Sequence, residues 1–596
     1  MKITNLAGAA PLAVLALCLL CSGATARSVL DDLNGLEDTV VDIGVEPAAH
    51  SIFKRSALVE DIMGPLSRNV RQVDEKTRSM LVYHHMKILH SILEMLLGGN
   101  PRVDIFQFIN WDKTIQIDQL FYVKPKTVWE ARRVILAARR LGMHVRATGA
   151  GHSRSPLYVD EGNIMMDVRD LQRHDGPFME LNQERPGRDF KTVTAMTGVY
   201  EVELNEFMTK EGVAILAQPL NDQETLGGMV AASTHGSTWS APTYSGIVVE
   251  MRLLDSHGRL RRFTKEDHPM IMKAASCNLG MFGIMYDITI KVEPTFVVKA
   301  ENRFVRLGDL MLNKDALRAQ VTGSFLTEIS WFPFNKISDA AAEEYSRTGA
   351  IPDDWSAADD TVWLRTINRA QQSEYQGQTI LGPSYLPTKG SLSGGNVTGL
   401  LRGRGAIDIA KKLSPKSFHY LVNAFPVILP PRWGTETSAA FMLNIDNSFD
   451  RVYRAFNFMI SRSEQQIRDN GTTPMNALLP RFFQNHECFL CPGNAEIQMP
   501  NDSGRTLVID FLAPPAQQGF YKAAADFVEF FKNEKVRPHW AKRHDNIAGI
   551  IDHVKDVYGS LLPGFSEQKR LARVDPCDMF MNSYLIAIFG RSQSCY

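Results

Sequence analysis

The hydrophobic pattern between residues 115 and 295 alternates between the period of a strand and that of a helix. Apolar positions alternate, or run continuously, over four stretches that we predict to be strands: 117–123, 144–148, 164–167 and 285–292. A helix is predicted between the first two, because Thr127 and Glu130 form a capping box and Gly142 ends the periodic run. An amphipathic helix is also predicted over 77–97. The pattern therefore indicates a domain in which helices and strands are mixed.

The loop after the predicted strand at 144–148 holds the first candidate chemistry, Thr148-Gly149-Ala150-Gly151-His152-Ser153. Small residues allow a backbone to approach a ligand closely, and His152 then stands where that ligand would pass. The arrangement suits a large planar cofactor that is held by main chain and bonded to an imidazole. The alternative at this point is an ordinary glycine turn with an exposed histidine.

Two further stretches of small residues follow. Residues 227–237 are mostly Gly, Ala, Ser and Thr, and 279–284 contains Gly280 and Gly283. Small residues at three separate places indicate one long ligand that lies against backbone. No G-x-G-x-x-G opens a helix after the first strand, so a Rossmann nucleotide site is not indicated.

Length and net charge limit the classes to which this protein can belong. A chain of 596 residues predicts two or three domains, and 44% hydrophobic residues suffice for large cores. The formal net charge is −1, so bulk electrostatics give no reason to expect a nucleic-acid partner.

The N-terminus has the pattern of a secretory signal: Lys2 precedes an apolar run at 12–20, and Ala24-Thr25-Ala26 is a small-residue cleavage site. We expect a secreted chain without a stable membrane span once 1–26 is removed, because no later stretch is long and apolar enough to span. An uncleaved anchor in the membrane of the endoplasmic reticulum or secretory pathway is the alternative. Glycan is expected in a secreted chain at three sequons, Asn396, Asn470 and Asn501.

Cysteine usage agrees weakly with secretion. Seven cysteines are present, of which two lie in the signal. Cys488 and Cys491 form a C-x-x-C, but a zinc site would need a second close pair, and Cys577 and Cys595 are too far apart in sequence to supply one. We therefore expect disulfide bonding or simple burial, and no metal.

Several ordered motifs resemble the flavin-dependent sugar-lactone oxidases of the vanillyl-alcohol-oxidase superfamily, whose subgroup includes L-gulono-1,4-lactone, D-arabinono-lactone and alditol oxidases. The resemblance covers roughly residues 105–590. Its matching stretches are Asn110-Trp111-Asp112-Lys113, Gly149 to Ser153, Thr225-Leu226-Gly227-Gly228, Thr234-His235-Gly236-Ser237, Arg537-Pro538-His539-Trp540-Ala541-Lys542 with the H-W-x-K signature, and Asn582-Ser583-Tyr584-Leu585.

The resemblance implies an α+β fold, with an FAD-binding domain of the vanillyl-alcohol-oxidase type and a cap domain with a large antiparallel sheet. A helix at 200–212 and a strand at 247–254 fit the first domain. The expected division is a signal peptide at 1–26, a partly helical extension at 27–104, the FAD-binding domain at 105–295, the cap domain at 296–535 with an insertion near 344–405, and a C-terminal segment at 536–596 that returns to the FAD-binding domain.

The resemblance also implies FAD as the cofactor. In family members that carry the histidine, it bonds covalently to the flavin 8α carbon, and the resemblance gives this role to His152, with noncovalent flavin as the alternative. The expected cofactor-binding residues are Gly149, Ala150, Gly151, His152, Ser153, Gly227, Gly228, Thr234, His235, Gly236, Ser237, Gly283 and Ile284.

Four residues are expected to be catalytic: Lys542, Glu496, Gln498 and His539. Hydride arriving at flavin N5 leaves a negative charge on the reduced ring, and the pattern places the Lys542 ammonium where it stabilises that charge. His539 is expected to orient the site or to donate to the substrate.

Glu496 and Gln498 are the best sequence match to an E-x-R pair that family members carry on a cap strand. They open a predicted hairpin, turned at 500–504 and returning over 506–511. Residues two apart share a strand face, so both side chains are expected to face a ligand, with an amide in place of the arginine. A solvated polar face on an edge strand is the alternative.

Two classes of function follow. The first is a secreted FAD-dependent oxidase of a sugar lactone, a related polyol or another alcohol, which passes electrons to oxygen and gives hydrogen peroxide. The second is a diverged secreted flavoprotein without lactone turnover that serves as a binding or structural component. The flavin motifs, Glu496 and Lys542 favour the enzyme, whereas the lost arginine favours divergence.

Overall fold

The computed structural model of the chain describes residues 75–182, 190–219, 221–375, 377, 399–424 and 436–591. The chain divides into two compact units, Met1–Leu81 and Val82–Tyr596. The first is described only where helix α1 (Glu75–Leu97) begins, and the predicted signal peptide and the sequon at Asn396 lie outside the described residues. Among the residues described, no helix has the length and apolar character that crossing a membrane requires.

A four-stranded sheet opens the second unit: β1 (Val103–Ile109), β2 (Gln116–Val123), β3 (Val145–Thr148) and β4 (Ile164–Asp167). Its order is β1-β2-β4-β3, and β4 pairs in parallel with both β2 and β3. Helix α2 (Val128–Leu141) connects β2 to β3, capped by the Thr127 side chain and ended by a left-handed Gly142, as the sequence predicts. The loop after Thr148 therefore leaves the carboxyl end of a parallel strand.

The second sheet has six strands, all paired antiparallel: β5 (Met179–Asn182), β6 (Lys191–Met196), β7 (Val213–Ala214), β8 (Val248–Leu254), β9 (Leu260–Thr264) and β10 (Ile284–Pro294). Strand β10 lies between β6 and β8. The helices here are α3 (Glu201–Glu211), α4 (Leu226–Ala232) and α5 (Pro269–Ala275). The predicted helix at 200–212 and the strands at 247–254 and 285–292 are confirmed.

The third sheet is large and antiparallel, with nine strands: β11 (Val297–Arg306), β12 (Leu326–Trp331), β13 (Thr361–Arg369), β14 (Lys416–Tyr420), β15 (Thr437–Asp446), β16 (Ala477–Leu478), β17 (Arg481–Gln484), β18 (Asp502–Ala513) and β19 (Arg537–Pro538). Its helices are α6 (Leu307–Leu310), α7 (Lys314–Thr322), α8 (Asp339–Thr348), α9 (Arg402–Ala410), α10 (Asp450–Asn470) and α11 (Phe520–Phe531). The predicted α+β fold with a large antiparallel sheet is confirmed.

The insertion expected near 344–405 stays a prediction, but part of that range is a strand of the third sheet and not a loop. Strand β13 lies inside that range and pairs with β11 on one side and β12 on the other, so it belongs to the sheet interior. The Gly, Ser and Asp residues around it suggest a loop, but Val362 and Leu364 are buried in the core. Residues 376 and 378–398 lie outside the described residues.

The C-terminal segment contains α12 (Ile550–Tyr558), α13 (Leu561–Ala572) and α14 (Ser583–Phe589). It bonds to the first sheet and to the turn between β8 and β9, since Val145 N donates to Met579 O at 3.0 Å and Ser256 N donates to Val574 O at 2.8 Å. The segment also supplies β19 to the third sheet. It therefore joins the sheets between which the candidate site lies.

Candidate functional site

One cavity collects most of the predicted motif residues. It extends from the loop after β3, past α4, to the third sheet, and His539 and Lys542 line it. The predicted cofactor contacts that line it are Gly149, Ala150, Gly151, His152, Ser153, Gly227, Gly228, Thr234, His235 and Gly283. Gly236, Ser237 and Ile284 do not line it: the Ser237 hydroxyl bonds to Thr327 O, and Ile284 is fully buried in the core.

Two glycines allow the backbone around the cavity to pack closely. A Cβ added at Gly149 would overlap Thr225 Oγ1, and one added at Gly227 would lie 2.9 Å from Thr197 Cβ. Any side chain at either position would force these segments apart. Glycine is therefore required for the main-chain surface that the sequence predicts at this site.

The His152 side chain contacts the ring of Trp111 and the side-chain amide of Asn221. Its imidazole stacks on Trp111 with centroids 5.1 Å apart, and its Nδ1 lies 3.1 Å from Asn221 Nδ2. Burial, with the nearby charges of Arg154 and Lys542, lowers the pKa of His152 to about 3. The ring is therefore neutral near pH 7 and keeps a nitrogen lone pair, which bonding to an electrophilic carbon requires.

The H-W-x-K segment is fixed against this loop. Arg154 N donates to Ala541 O at 2.9 Å, and His539 N donates to Ala440 O on β15 at 2.9 Å. These bonds bring His539 and Lys542 to the cavity that the glycine loop also lines.

Two histidines in the cavity have complementary proton arrangements. His235 Nδ1 lies 3.1 Å from Gly236 O, so it carries the proton and leaves Nε2 as an acceptor. His539 Nδ1 accepts from Ala541 N at 3.1 Å, so its proton lies on Nε2. Burial lowers the pKa of His235 to about 4 and that of His539 well below its usual range, so both rings are neutral. Their centroids are 5.4 Å apart, and they offer one acceptor and one donor.

Asp510 on β18 lines the same cavity and was not predicted from the sequence. Its Oδ2 lies 3.8 Å from Lys542 Nζ, and its Oδ1 is buried without a hydrogen-bond partner among the described residues. An orphaned buried carboxylate oxygen at a cavity wall marks a position where a ligand hydroxyl would donate. Burial lowers the pKa of Lys542, while the Asp510 charge opposes that shift.

Strand register places an arginine beside Asp510. Arg481 on β17 is opposite Val508 of β18, and Val508 and Asp510 are two residues apart on one strand face. Arg481 is buried and lines the cavity, and its guanidinium donates to Pro480 O at 3.1 Å. A carboxylate and a guanidinium therefore face the cavity from neighbouring strands.

The assignment of Glu496 and Gln498 to a cap strand is wrong. Both residues are exposed and lie in a turn outside the cavity lining, and Glu496 forms an ion pair with Lys273. The cavity is instead lined by Arg481, which lies on a strand of the third sheet, and by Leu479 two residues before it. Pro480 interrupts the strand pattern there, and no glutamate stands two residues before Arg481, so no E-x-R motif identifies this arginine in the sequence.

The sequence identifies the other cavity residues only weakly. Asp510 is a lone charge in the apolar stretch Leu507 to Leu512, a pattern that indicates a functional side chain on a buried face. Arg146, Asn221 and Glu224 also line the cavity, and no local motif identifies them.

The residues fit an FAD molecule. Main chain packed tightly at glycines lies beside a neutral histidine, and a buried Arg146 guanidinium lines the same cavity. Arg146 Nε donates to Leu157 O at 2.7 Å and Nη2 donates to Leu279 O at 2.5 Å, both uncharged acceptors. Nη1 donates to Phe580 O, so three carbonyl oxygens fix the guanidinium at the cavity wall, where its positive charge suits the anionic phosphates of a dinucleotide.

A family model described as an FAD binding domain matches residues 120–264, which include the glycine loop and α4. FAD is thereby confirmed as the cofactor. A covalent bond through His152 stays a prediction.

Curated relatives are sugar-lactone oxidases. The chain is 26% identical over 229 residues to D-arabinono-1,4-lactone oxidase of Eremothecium gossypii, which is 38% of this chain and 41% of that protein. It thus spans about two fifths of the length of the D-arabinono-1,4-lactone oxidases that it matches. With L-gulonolactone oxidase of Mus musculus it is 25% identical over 486 residues, covering 81% of this chain and 98% of the relative. The predicted resemblance to the sugar-lactone oxidases is confirmed.

Among solved structures, a crystal structure of cholesterol oxidase from B. sterolicum matches with a TM-score of 0.65 and 15% identity. The match covers 82% of this chain and 97% of that chain. At this identity the likeness shows a shared fold alone.

Proposed function

We propose that this chain, an FAD-binding relative of the sugar-lactone oxidases, oxidises an alcohol carbon of a sugar lactone, a related polyol or another alcohol and gives hydrogen peroxide from oxygen. The observation that carries the proposal is the meeting of Lys542, His539, Asp510 and Arg481 at the cavity that the glycine loop also lines. A cation beside a carboxylate oxygen that has no partner among the described residues suits proton transfer and the stabilisation of developing charge.

FAD, when bound, would supply the two-electron acceptor for the hydride of the alcohol carbon, with oxygen as the final electron acceptor. The side chains provide the rest of the chemistry. Asp510 Oδ1 accepts the hydrogen bond of the reacting hydroxyl and takes its proton, and His539 Nε2–H donates to the same oxygen. The Lys542 ammonium stabilises the negative charge that develops in the cavity, and the Arg481 guanidinium binds a neighbouring substrate oxygen.

The cavity wall restricts the substrate. Leu479 stands two residues before Arg481, and Leu512 two residues after Asp510, so apolar side chains flank both charged groups. Leu479 and Leu512 offer substrate hydroxyls no partners, and the polar Glu436 and Asn476 beside them bond to each other. We therefore expect ordinary aldonolactones to be weaker substrates than alcohols with one apolar face.

An oxygen-consumption screen of the purified chain against lactones, alditols, free sugars and less polar alcohols tests this function. We expect turnover with at least one alcohol and one peroxide formed for each oxygen consumed. Flavin-loaded protein that consumes no oxygen with any of them would support the alternative of a binding or structural component.

Covalent attachment through His152 is part of the proposal. Its neutral ring, fixed by Trp111 and Asn221, supports it. Flavin is expected to stay with the polypeptide after acid precipitation and to be released in His152→Ala. Flavin that separates freely from the unaltered chain would remove the covalent bond and leave the fold unaffected.

Export is a further part of the proposal. The signal pattern at 1–26 supports it, as do the Cys488–Cys491 disulfide, disulfide bonding of Cys577 and the exposure of the sequon residues Asn470 and Asn501. Secreted material is expected to begin near Arg27 and to carry glycan. Recovery only as an integral membrane protein that retains 1–26 would contradict it.

A further inference from the structure

Outside the cavity, one loop brings three soft donor groups together. The donor atoms of His486, Cys488 and Cys491 all lie within 4.8 Å of one another, and both cysteines are fully buried. The two sulfurs form a disulfide, with Cα atoms 5.7 Å apart, and His486 Nε2 lies 3.1 Å from Cys491 Sγ. None of the three lines the cavity of the proposed function.

We propose that this H-x-C-x-x-C loop is a redox-gated site for a soft divalent metal ion such as Zn²⁺. The disulfide closes the site. After reduction, the two thiolates and His486 Nε2 bind the ion. Cys₂His is a ligand set that zinc accepts in proteins, and the short spacing delivers all three groups from one loop.

Contacts that do not involve sulfur hold the cysteine-bearing part of the loop. Asn494 Nδ2 donates to Cys488 O and to Phe489 O, the latter at 3.2 Å, and Asn494 Oδ1 accepts from Glu496 N at 2.7 Å. His486 N donates to Gly493 O at 3.1 Å, which closes the loop on itself. The backbone therefore keeps the two sulfurs facing each other when the bond between them is broken.

Two long-range bonds fix the same loop from outside. Arg537 Nε donates to Pro492 O at 2.6 Å, and Trp540 Nε1 donates to Leu490 O at 2.6 Å. Both donors belong to the segment that carries H-W-x-K and both are fully buried. The loop is thus pre-organised, and a metal ion would bind without the cost of ordering it.

Opening the site requires a reductant, and filling it releases two protons. Two molecules of a small thiol reduce the disulfide to two cysteine thiols and become a disulfide themselves. The divalent ion then displaces both thiol protons, and its charge neutralises two thiolates that would otherwise be costly in a buried site. The Thr243 hydroxyl lies 3.5 Å from His486 Nε2, so this hydrogen bond is given up when the nitrogen binds the ion.

The test uses the full chain. It is reduced with dithiothreitol, freed of reductant by anaerobic gel filtration, dialysed against Zn²⁺ and analysed for metal, beside unreduced protein treated in the same way. We expect one tightly held ion per reduced chain and none per oxidised chain. With Co²⁺ in place of Zn²⁺, the reduced chain should show sulfur-to-cobalt charge-transfer absorption.

Variants separate this site from adventitious binding. Cys488→Ser and His486→Gln should lose the ion, whereas Cys277→Ser, which removes a buried free cysteine, should keep it. Alkylation followed by peptide mass spectrometry shows whether the bond has opened, and bound Zn²⁺ should protect both thiols of the loop from alkylation.

The proposal would be overturned by any of three outcomes. The disulfide could resist reduction in the folded chain, the two reduced thiols could retain no metal, or Cys277→Ser could abolish metal binding as fully as Cys488→Ser does. These experiments measure metal content, absorption spectra and thiol reactivity. Their results therefore do not depend on whether the chain has the proposed oxidase activity.

Discussion

Asp510 is a charged side chain in an apolar stretch of β18, and its place at the cavity gives it a defined task. One carboxylate oxygen lies 3.8 Å from Lys542 Nζ, while the other has no partner among the described residues. At the scale of single residues, the site therefore combines the Lys542 ammonium with a carboxylate oxygen that can accept a hydrogen bond from a hydroxyl.

The first prediction concerns that carboxylate. Asp510→Asn keeps the shape but replaces a charged acceptor by a neutral one, and hydrogen bonds to charged groups contribute about 1.5–3 kcal/mol against about 1 for neutral ones. From this difference of about 0.5–2 kcal/mol, we expect kcat/KM for the best substrate to fall by at least about 2- to 30-fold with flavin content unchanged. Asp526→Asn on α11, outside the cavity lining, is the matched control. Equal kcat/KM in the two variants would exclude a catalytic role for Asp510.

The second prediction concerns Lys542. Lys542→Met keeps the stem and removes the charge, and loss of one well-placed stabilising group costs roughly 10²- to 10³-fold in rate, about 3–4 kcal/mol. Anaerobic stopped-flow measures the bleaching of bound flavin by substrate. Lys522→Met, at a side chain that is 67% exposed, should leave the rate unchanged. An unaltered rate in Lys542→Met would mean that its charge has no part in the reaction.

At the scale of elements, a parallel strand, a short helix and the H-W-x-K segment form the cofactor-binding surface together. The loop after β3 meets the start of α4 at Gly149 and Thr225, and Ala541 binds the same loop through Arg154 N. Helix α2, which connects β2 to β3, carries the cap and stop that its sequence predicts. The close approach of these elements depends on the absence of one Cβ.

The third prediction tests that approach. Gly149→Ala would bring its Cβ into Thr225 Oγ1 and within 2.9 Å of Thr225 Cβ, whereas the nearest atom to a Cβ at Gly228 is Thr225 Oγ1 at 3.5 Å. Overpacking of this kind costs roughly 1–3 kcal/mol. We expect Gly149→Ala to lower Tm and the flavin bound per chain, and Gly228→Ala to change Tm much less. Equal Tm values would argue against tight packing at Gly149.

At the scale of the whole molecule, neutral buried histidines link stability to pH. Burial holds the pKa of His235 at about 4 and that of His539 well below its usual range, against about 6.5 in an unfolded chain. Between the folded and unfolded values, the unfolded chain binds more protons than the folded chain. The free energy of unfolding therefore rises with pH through this window and falls as the pH drops below about 6.5.

The fourth prediction is the size of that effect. Each such histidine contributes a slope of about 1.4 kcal/mol per pH unit within the window. Urea unfolding at a series of pH values measures this slope. His235→Gln should lower the slope by the contribution of one histidine, about 1.4 kcal/mol per pH unit. Stability that is flat on acidification would contradict the burial of neutral histidines.

The sequence alone determined those features whose causes are local. Capping residues, apolar periodicity and glycine positions predicted α2, β4 and the loop at Gly149 to Ser153, because these elements depend on neighbours a few residues away. Ordered motifs along the chain likewise indicated the lactone-oxidase resemblance and the FAD cofactor.

Only the tertiary structure decided which carboxylate and which guanidinium face the cavity. Asp510 and Arg481 lie on different strands, and the pairing of Arg481 with Val508 brings them to one face. Such a register follows from packing across the sheet, which no window of sequence contains. The same reason explains why Glu496 and Gln498, well matched by spacing, lie in an exposed turn, and why no local pattern predicts the pairing of β13 with β11.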